Sequence, residues 1–241
     1  MLAHPDRWLC LGLLLWAAPL IGGAADLTAS VAALSDFRFR GVSLSDREPA
    51  LQAGADWSQA SGFMAGVLAS TVRLGPTGDT RSGVAGQGYI GWSGAWKRTV
   101  TWGGGVAVYA FPSQPGLGSL DYPELFLRLG AEDAQLGLYA SNSYFGSGAP
   151  SAYVSISAGR DLRERLRLFA HVGWLSTGAA EPGYYFYDHT RRLDASVGAQ
   201  LDLRWASVEL SVVGATTSDN GCRRNDRACE PGVVLSLKKV F

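Results

Sequence analysis

The groups in this chain that could do chemistry are few, and their spacing argues against catalysis. Of its 3 histidines, His171 stands inside a run of alternating polar and apolar residues, and His189 follows Asp188. A hydrolytic site needs an imidazole within hydrogen-bond reach of a nucleophile or a carboxylate. Neighbouring side chains of an extended strand point to opposite faces, so the Asp188–His189 adjacency is not a dyad. No nucleophile elbow or metal-ligand spacing occurs, which leaves no catalytic group, metal site or cofactor to name. The string GQGYIG from Gly86 to Gly91 has the glycine spacing of a dinucleotide loop, but such a loop must open a helix. Here Tyr89 and Gly91 alternate with Ile90 and Trp92, so a strand runs through it. Cys222 and Cys229 share the polar segment GCRRNDRACE. In an exported protein a close pair of this kind is expected to form a disulfide. A metal site would need further ligands at suitable spacing.

What is abundant is charge on one face of alternating runs. In RLRLFAHVGWL, Leu166, Leu168, Ala170, Val172 and Trp174 share a face, opposite Arg165, Arg167, Phe169, His171 and Gly173. In the next run, Leu193, Ala195, Val197, Ala199 and Leu201 alternate with Asp194, Ser196, Gly198, Gln200 and Asp202. Val208, Leu210 and Val212 alternate with Ser207, Glu209 and Ser211, and Leu51, Ala53, Ala55 and Trp57 with Gln52, Gly54, Asp56 and Ser58. Period two means strand, and runs of about ten residues match a tilted membrane strand. About twelve such segments can be placed, an even number as in bacterial single-chain barrels. They span 28–40, 48–58, 62–72, 84–94, 99–111, 123–131, 134–145, 150–159, 165–176, 190–203, 205–217 and 231–241. Their connections alternate short and long, with the link at 146–149 a short exception. Outer-membrane barrels combine short periplasmic turns with long outer loops.

Composition supports an all-β fold of this kind. Charged residues make up 17% of the chain, glycine occurs 31 times and tryptophan 8 times, and formal net charge is +0. A neutral chain carries no basic field for nucleic acid. The apolar run from Trp8 to Ile21, followed by Gly23, Ala24 and Ala25, reads as a secretory signal peptide over residues 1–25. The expected fold is therefore an antiparallel transmembrane β-barrel over residues 26–241. Its partners would be outer-membrane lipid and lipopolysaccharide, and the barrel-assembly machinery during biogenesis. Trp57, Phe63, Trp96, Trp102 and Trp205 fall beside the short turns, and Phe37, Phe39, Tyr144, Phe145 and Trp174 toward the opposite ends. These positions suit the two aromatic girdles of a membrane barrel. The last strand alternates Val233, Leu235 and Leu237 in phase with the terminal Phe241, while Lys239 breaks the apolar phase.

The opening block SDFRFRGVSLSDREPALQAGADW, followed by SGFMAGVLAS, resembles the TorF-type porin family of proteobacteria. Beyond that block the similarity is one of architecture. The resemblance implies an outer-membrane barrel with a pore role and supplies no solute. Period two places Arg38, Arg40, Asp56, Arg128, Arg165, Arg167, His171, Arg192, Asp194 and Glu209 on the lumen side. Lys or Arg facing lipid would cost about 2–4 kcal/mol at the midplane, so these groups either line a wet path or neutralise each other across it. The first case predicts passive diffusion of small hydrophilic solutes, with the arginine excess favouring anions. The second predicts a non-conducting structural or adhesion-type barrel. An outer-membrane hydrolase is a third reading, for which the residues offer little.

Overall fold

The computed structural model describes residues 25–74, 81–97, 99–113, 119–178, 191–217 and 226–241. The expected export segment, Cys222, Asp188 and His189 lie outside these residues. The wall is built in chain order from β1 (Asp26–Leu34), β4 (Ala50–Ser58), β5 (Phe63–Leu74), β6 (Arg81–Lys97), β7 (Val100–Ala110), β8 (Tyr122–Ala131), β9 (Ala134–Ser141), β10 (Ser151–Arg163), β11 (Leu166–Thr177), β12 (Arg191–Asp202), β13 (Ser207–Thr217) and β14 (Gly232–Val240). Between β1 and β4 stand two short strands, β2 (Arg38–Phe39) and β3 (Val42–Ser43). A short helix, α1 (Asp226–Cys229), precedes β14.

Each wall strand pairs antiparallel with its sequence neighbour, and β1 closes the ring by pairing β14 on one side and β4 on the other. Closure leaves the ring of strands without a free edge, as a lipid environment demands. The phase of the alternation follows from this. On β12, Leu193, Val197 and Leu201 face outward and are exposed, while Arg192, Asp194, Ser196 and Gln200 face inward and are buried. Leu125, Leu127 and Leu129 on β8, and Ile90 and Trp92 on β6, are likewise exposed on the outside. A contiguous outward apolar surface around a polar interior is the arrangement of a bacterial outer-membrane barrel. At the short-turn end Trp57, Phe63 and Trp92 form edge-to-face pairs, with ring centroids 5.6 and 5.3 Å apart. Phe241 meets Ala29 at that same end, through its backbone N–H at 2.9 Å.

Two sequence expectations change at the long-loop end. The first strand was expected to run through residue 40, but it stops at Leu34, and residues 35–47 fold back into the barrel. Phe37, Phe39, Tyr144 and Phe145 therefore form no outer girdle. All four are buried inside, whereas Trp174 does face outward. The reason is local as well as tertiary. Arg40 and Gly41 both take positive φ, +50° and +80°, which closes a two-residue hairpin turn between β2 and β3. The connection at 142–150 is also longer than expected. It carries a single 3₁₀ turn (Tyr144–Gly146), and Phe145, at φ +50°, turns its ring inward against Phe111 and Tyr122.

Candidate functional site

The barrel interior divides into two zones. In the zone near the long loops, the β2–β3 hairpin crosses the lumen and packs against the inner wall. Phe37, Phe39 and Leu44 join Val72, Leu74, Tyr109, Tyr122, Tyr144, Phe145 and Leu175 in one apolar cluster. The tip reaches the far wall, where a β-carbon on Gly41 would stand 2.7 Å from the Gly214 carbonyl and 2.8 Å from the Asp194 side chain. Only glycine fits there.

Two arginines pin the hairpin, and neither is on the wall as expected. Arg38 Nε donates to Asp36 Oδ2 at 2.6 Å, and its Nη1 donates to the Glu230 carbonyl at 2.8 Å and the Val213 carbonyl at 3.3 Å. Asp36 Oδ1 accepts from Ser43 and Ser45 at 2.6 and 3.2 Å, which ties the two hairpin arms together. Arg40 Nη2 donates to both oxygens of Glu124 on β8, at 2.7 and 2.8 Å. Tyr109 adds a third bond to that carboxylate at 3.2 Å. Both members of the Arg40–Glu124 pair are 1% exposed. The guanidinium carbon of Arg40 lies 4.2 Å from the ring centroid of Tyr153, 4.9 Å from Phe39, 5.4 Å from Tyr144 and 5.5 Å from Tyr139.

In the zone near the short turns, the wall is polar and more open. Asp56 on β4 accepts from Tyr89 at 2.7 Å. The Tyr89 ring occupies the space beside Gly66, where a β-carbon would collide with it. Arg128 on β8 donates from Nε to Tyr139 at 3.0 Å, and Arg167 on β11 donates to Asp161 at 3.0 Å. Glu209 on β13 also faces inward here, and Arg192 faces inward at the opposite, long-loop end of β12; Arg192 Nε and Glu209 Oε1 are buried without a hydrogen bond to the protein. Arg165 is the exception among the sequence candidates. The strand begins at Leu166, and Arg165 stands exposed in the turn before it.

The structure also assembles a group that period two could not show. His171 Nδ1 lies 2.8 Å from Ser157 Oγ, and its Nε2 lies 3.1 Å from Asp194 Oδ1. Tyr153 donates to the same Asp194 oxygen at 3.1 Å. With Nε2–H facing the carboxylate, the Nδ1 lone pair accepts from Ser157. Cross-strand pairing sets this up, because Ser157 stands opposite His171 on β10 and β11, and Asp194 opposite Gly173 on β12. Sequence reasoning had His171 and Asp194 on one face but missed Tyr153 and Ser157. The signal was present in the alternation of β10, where Tyr153 and Ser157 share the inward phase. Cys229 is disulfide-bonded and packs with Ala228 against Val42 of the hairpin. Its expected partner, Cys222, lies outside the described residues.

This architecture has known counterparts. A KdgM porin superposes with a TM-score of 0.55 at 8% identity, covering 89% of this chain and 99% of that one. The structure of a KdgM porin in complex with disordered oligogalacturonate gives 0.54 at 8% identity, covering 90% and 99%. A NanC porin gives 0.51 at 9% identity, covering 89% and 98%. At these identities the likeness is one of fold. No curated protein matches the chain in sequence. Residues 21–241 match the model of a family described as "Bacterial protein of unknown function (Gcw_chp)", and the chain belongs to that family.

Proposed function

We propose that the protein is a passive outer-membrane channel for small hydrophilic solutes, narrowed at its outer half by the inward hairpin. One observation carries this reading: inward polar atoms keep hydrogen-bonding capacity that no protein group uses. Both amide atoms of Gln87, together with Gln52 Oε1, Arg192 Nε, Ser196 Oγ, Ser211 Oγ and Glu209 Oε1, are buried without a protein partner. Buried polar groups are almost always satisfied, so these inward atoms are expected to take internal water as partner, as the lining of a hydrated interior does. The resemblance of the opening block to TorF-type porins and the likeness of fold to porins support the same reading. Export through cleavage near residue 25, assembly by the barrel machinery, and a belt facing lipid and lipopolysaccharide go with it.

The arginine excess read from the sequence shrinks on folding. Arg165 leaves the lumen, while Arg38 and Arg40 are neutralised by Asp36 and Glu124. Among the described residues, the remaining inward cations Arg128, Arg167, Arg192 and Lys238 share the interior with Asp56, Asp194, Asp202 and Glu209. Anion preference is therefore expected to be weak. Planar-bilayer recording under a salt gradient tests both points. A small stable conductance, with a reversal potential only slightly on the anion side, is the expected result. Absence of conductance across several lipids and voltages would reject the channel and favour a sealed scaffold.

The Ser157–His171–Asp194 chain is the observation that favours a hydrolytic reading. Against it, Ser157 lies mid-strand between β9 and β11, so the neighbouring backbone N–H groups serve the ladders and form no oxyanion hole. Its expected role is to brace the wall. Cys229 is proposed to bridge to Cys222. Intact mass of the mature protein should then show no free thiol before reduction and two after it, and an alkylatable thiol without reduction would refute the pairing.

A further inference from the structure

The hairpin's arginine sits in a site with the chemistry of a receptor. A carboxylate, Glu124, is oriented by the Tyr109 hydroxyl at 3.2 Å, and the walls are the faces of Tyr153, Tyr144 and Tyr139. These residues come from β7, β8, β9, β10 and the 3₁₀ turn, so the cage belongs to the barrel and to the 142–150 connection, while its occupant belongs to the hairpin. Carboxylate plus aromatic faces is how proteins bind weakly hydrated organic cations. The flat guanidinium suits such walls better than a compact, strongly hydrated ammonium.

The occupant is held in a way that favours exchange. Arg40 Nη2 makes both bonds to Glu124, whereas Arg40 Nε and Nη1 are buried with no hydrogen bond. Leaving donors unused in a buried site is unfavourable. Arg40 also pays for its position with φ +50°, a left-handed conformation that a non-glycine residue adopts at a cost. Undocking would relieve both terms, and the β2–β3 strands are short. Against these two costs stand the Glu124 pair and the packing of Phe37, Phe39 and Leu44, which a competing ligand in the cage would weaken by taking the pair.

We propose that Glu124 with Tyr109, Tyr139, Tyr144 and Tyr153 is a guanidinium-binding site, kept occupied by Arg40 as a tethered ligand. Resting on the channel reading, this makes the hairpin a plug that a guanidinium-bearing solute displaces by taking the same cage. Tethering gives Arg40 a high effective concentration, so the intact protein stays closed until free ligand competes.

The test is chemical rescue in the full barrel. Methylguanidinium chloride is titrated by calorimetry into Arg40→Ala, Arg40→Ala/Glu124→Gln and the unmodified protein, with methylammonium and potassium chloride as controls. Arg40→Gln, which keeps more of the side chain's volume, replaces Arg40→Ala if the latter does not fold. Arg40→Ala is expected to bind methylguanidinium about tenfold or more tightly than the double variant, as loss of the carboxylate implies, and more tightly than the unmodified protein. In bilayers Arg40→Ala should conduct more than the unmodified protein, and methylguanidinium should raise the current of the unmodified protein while methylammonium does not. Equal binding by all three proteins, or equal binding of methylammonium, would overturn the site. Selective binding with no current in any protein would leave the site standing and reject the channel.

Discussion

Glu124→Ala is expected to expose the inward hairpin while leaving the barrel folded. The substitution strands the Arg40 charge in a space where it is 1% exposed. Removing one partner of a buried pair typically costs about 3–5 kcal/mol, because the other is left uncompensated. In a rigid core that cost would fall on the whole fold. Here Arg40 sits at the tip of a hairpin inserted between β1 and β4, and once that hairpin leaves its packing the guanidinium can return to water. Release also relieves the left-handed conformation of Arg40 and frees its unused donors. The expected shift in hairpin release is therefore about 10²–10⁴-fold, since each 1.4 kcal/mol is tenfold. Arg38 and Arg40 supply the readout, because trypsin should cleave after them in the variant and scarcely in the unmodified barrel. The heat-modifiable folded band should persist. Unchanged cleavage would mean that Asp36, Arg38 and the Glu230 contacts hold the hairpin without Glu124.

Val197→Arg should damage the barrel itself. Val197 lies at the middle of β12, outward and 60% exposed, opposite the outward residues Ala170 and Val212 on its neighbours. An arginine there must desolvate against lipid or distort the bilayer to reach water, at about 2–4 kcal/mol near the midplane. The folded fraction in vesicles, followed through a denaturant titration, should fall by that amount. Val197→Leu should change little. The experiment also tests the phase of the wall, because a shift of one residue would bring position 197 inside, where arginine would be tolerated. A neutral Val197→Arg would therefore overturn the inside–outside assignment on this side of the barrel.

These two variants mark where the sequence was sufficient and where it was not. The wall was legible because each strand is a local pattern. Leu193, Val197 and Leu201 against Asp194, Ser196 and Gln200 can be read without knowing what lies beside them. Period two then dictates that one set faces lipid once the sheet closes. The number of strands, their phase and the short-turn end all follow from such local alternation and from the length of connections. Asp56, Arg128, Arg167, His171, Arg192, Asp194 and Glu209 fall on the inner wall for the same reason. Arg165 failed because a strand's first residue depends on where the turn begins, which alternation does not mark.

The segment Asp36–Arg40 alternates too, with Asp36, Arg38 and Arg40 against Phe37 and Phe39, and on pattern alone it continues β1. Nothing local separates a strand that goes on along the wall from one that turns inward at Ser35. The deciding interactions are distant in sequence, Arg40 with Glu124 and Arg38 with Val213 and Glu230. Tyr139, Tyr144 and Tyr153 meet around one cation only because β9, β10 and the connection between them close on the hairpin. The sequence by itself determined a closed barrel with a lipid-facing outside and a polar inside, since alternation is a property of each strand. What fills that inside was decided only by the tertiary structure, because a buried charge takes its place from partners that other strands bring to it.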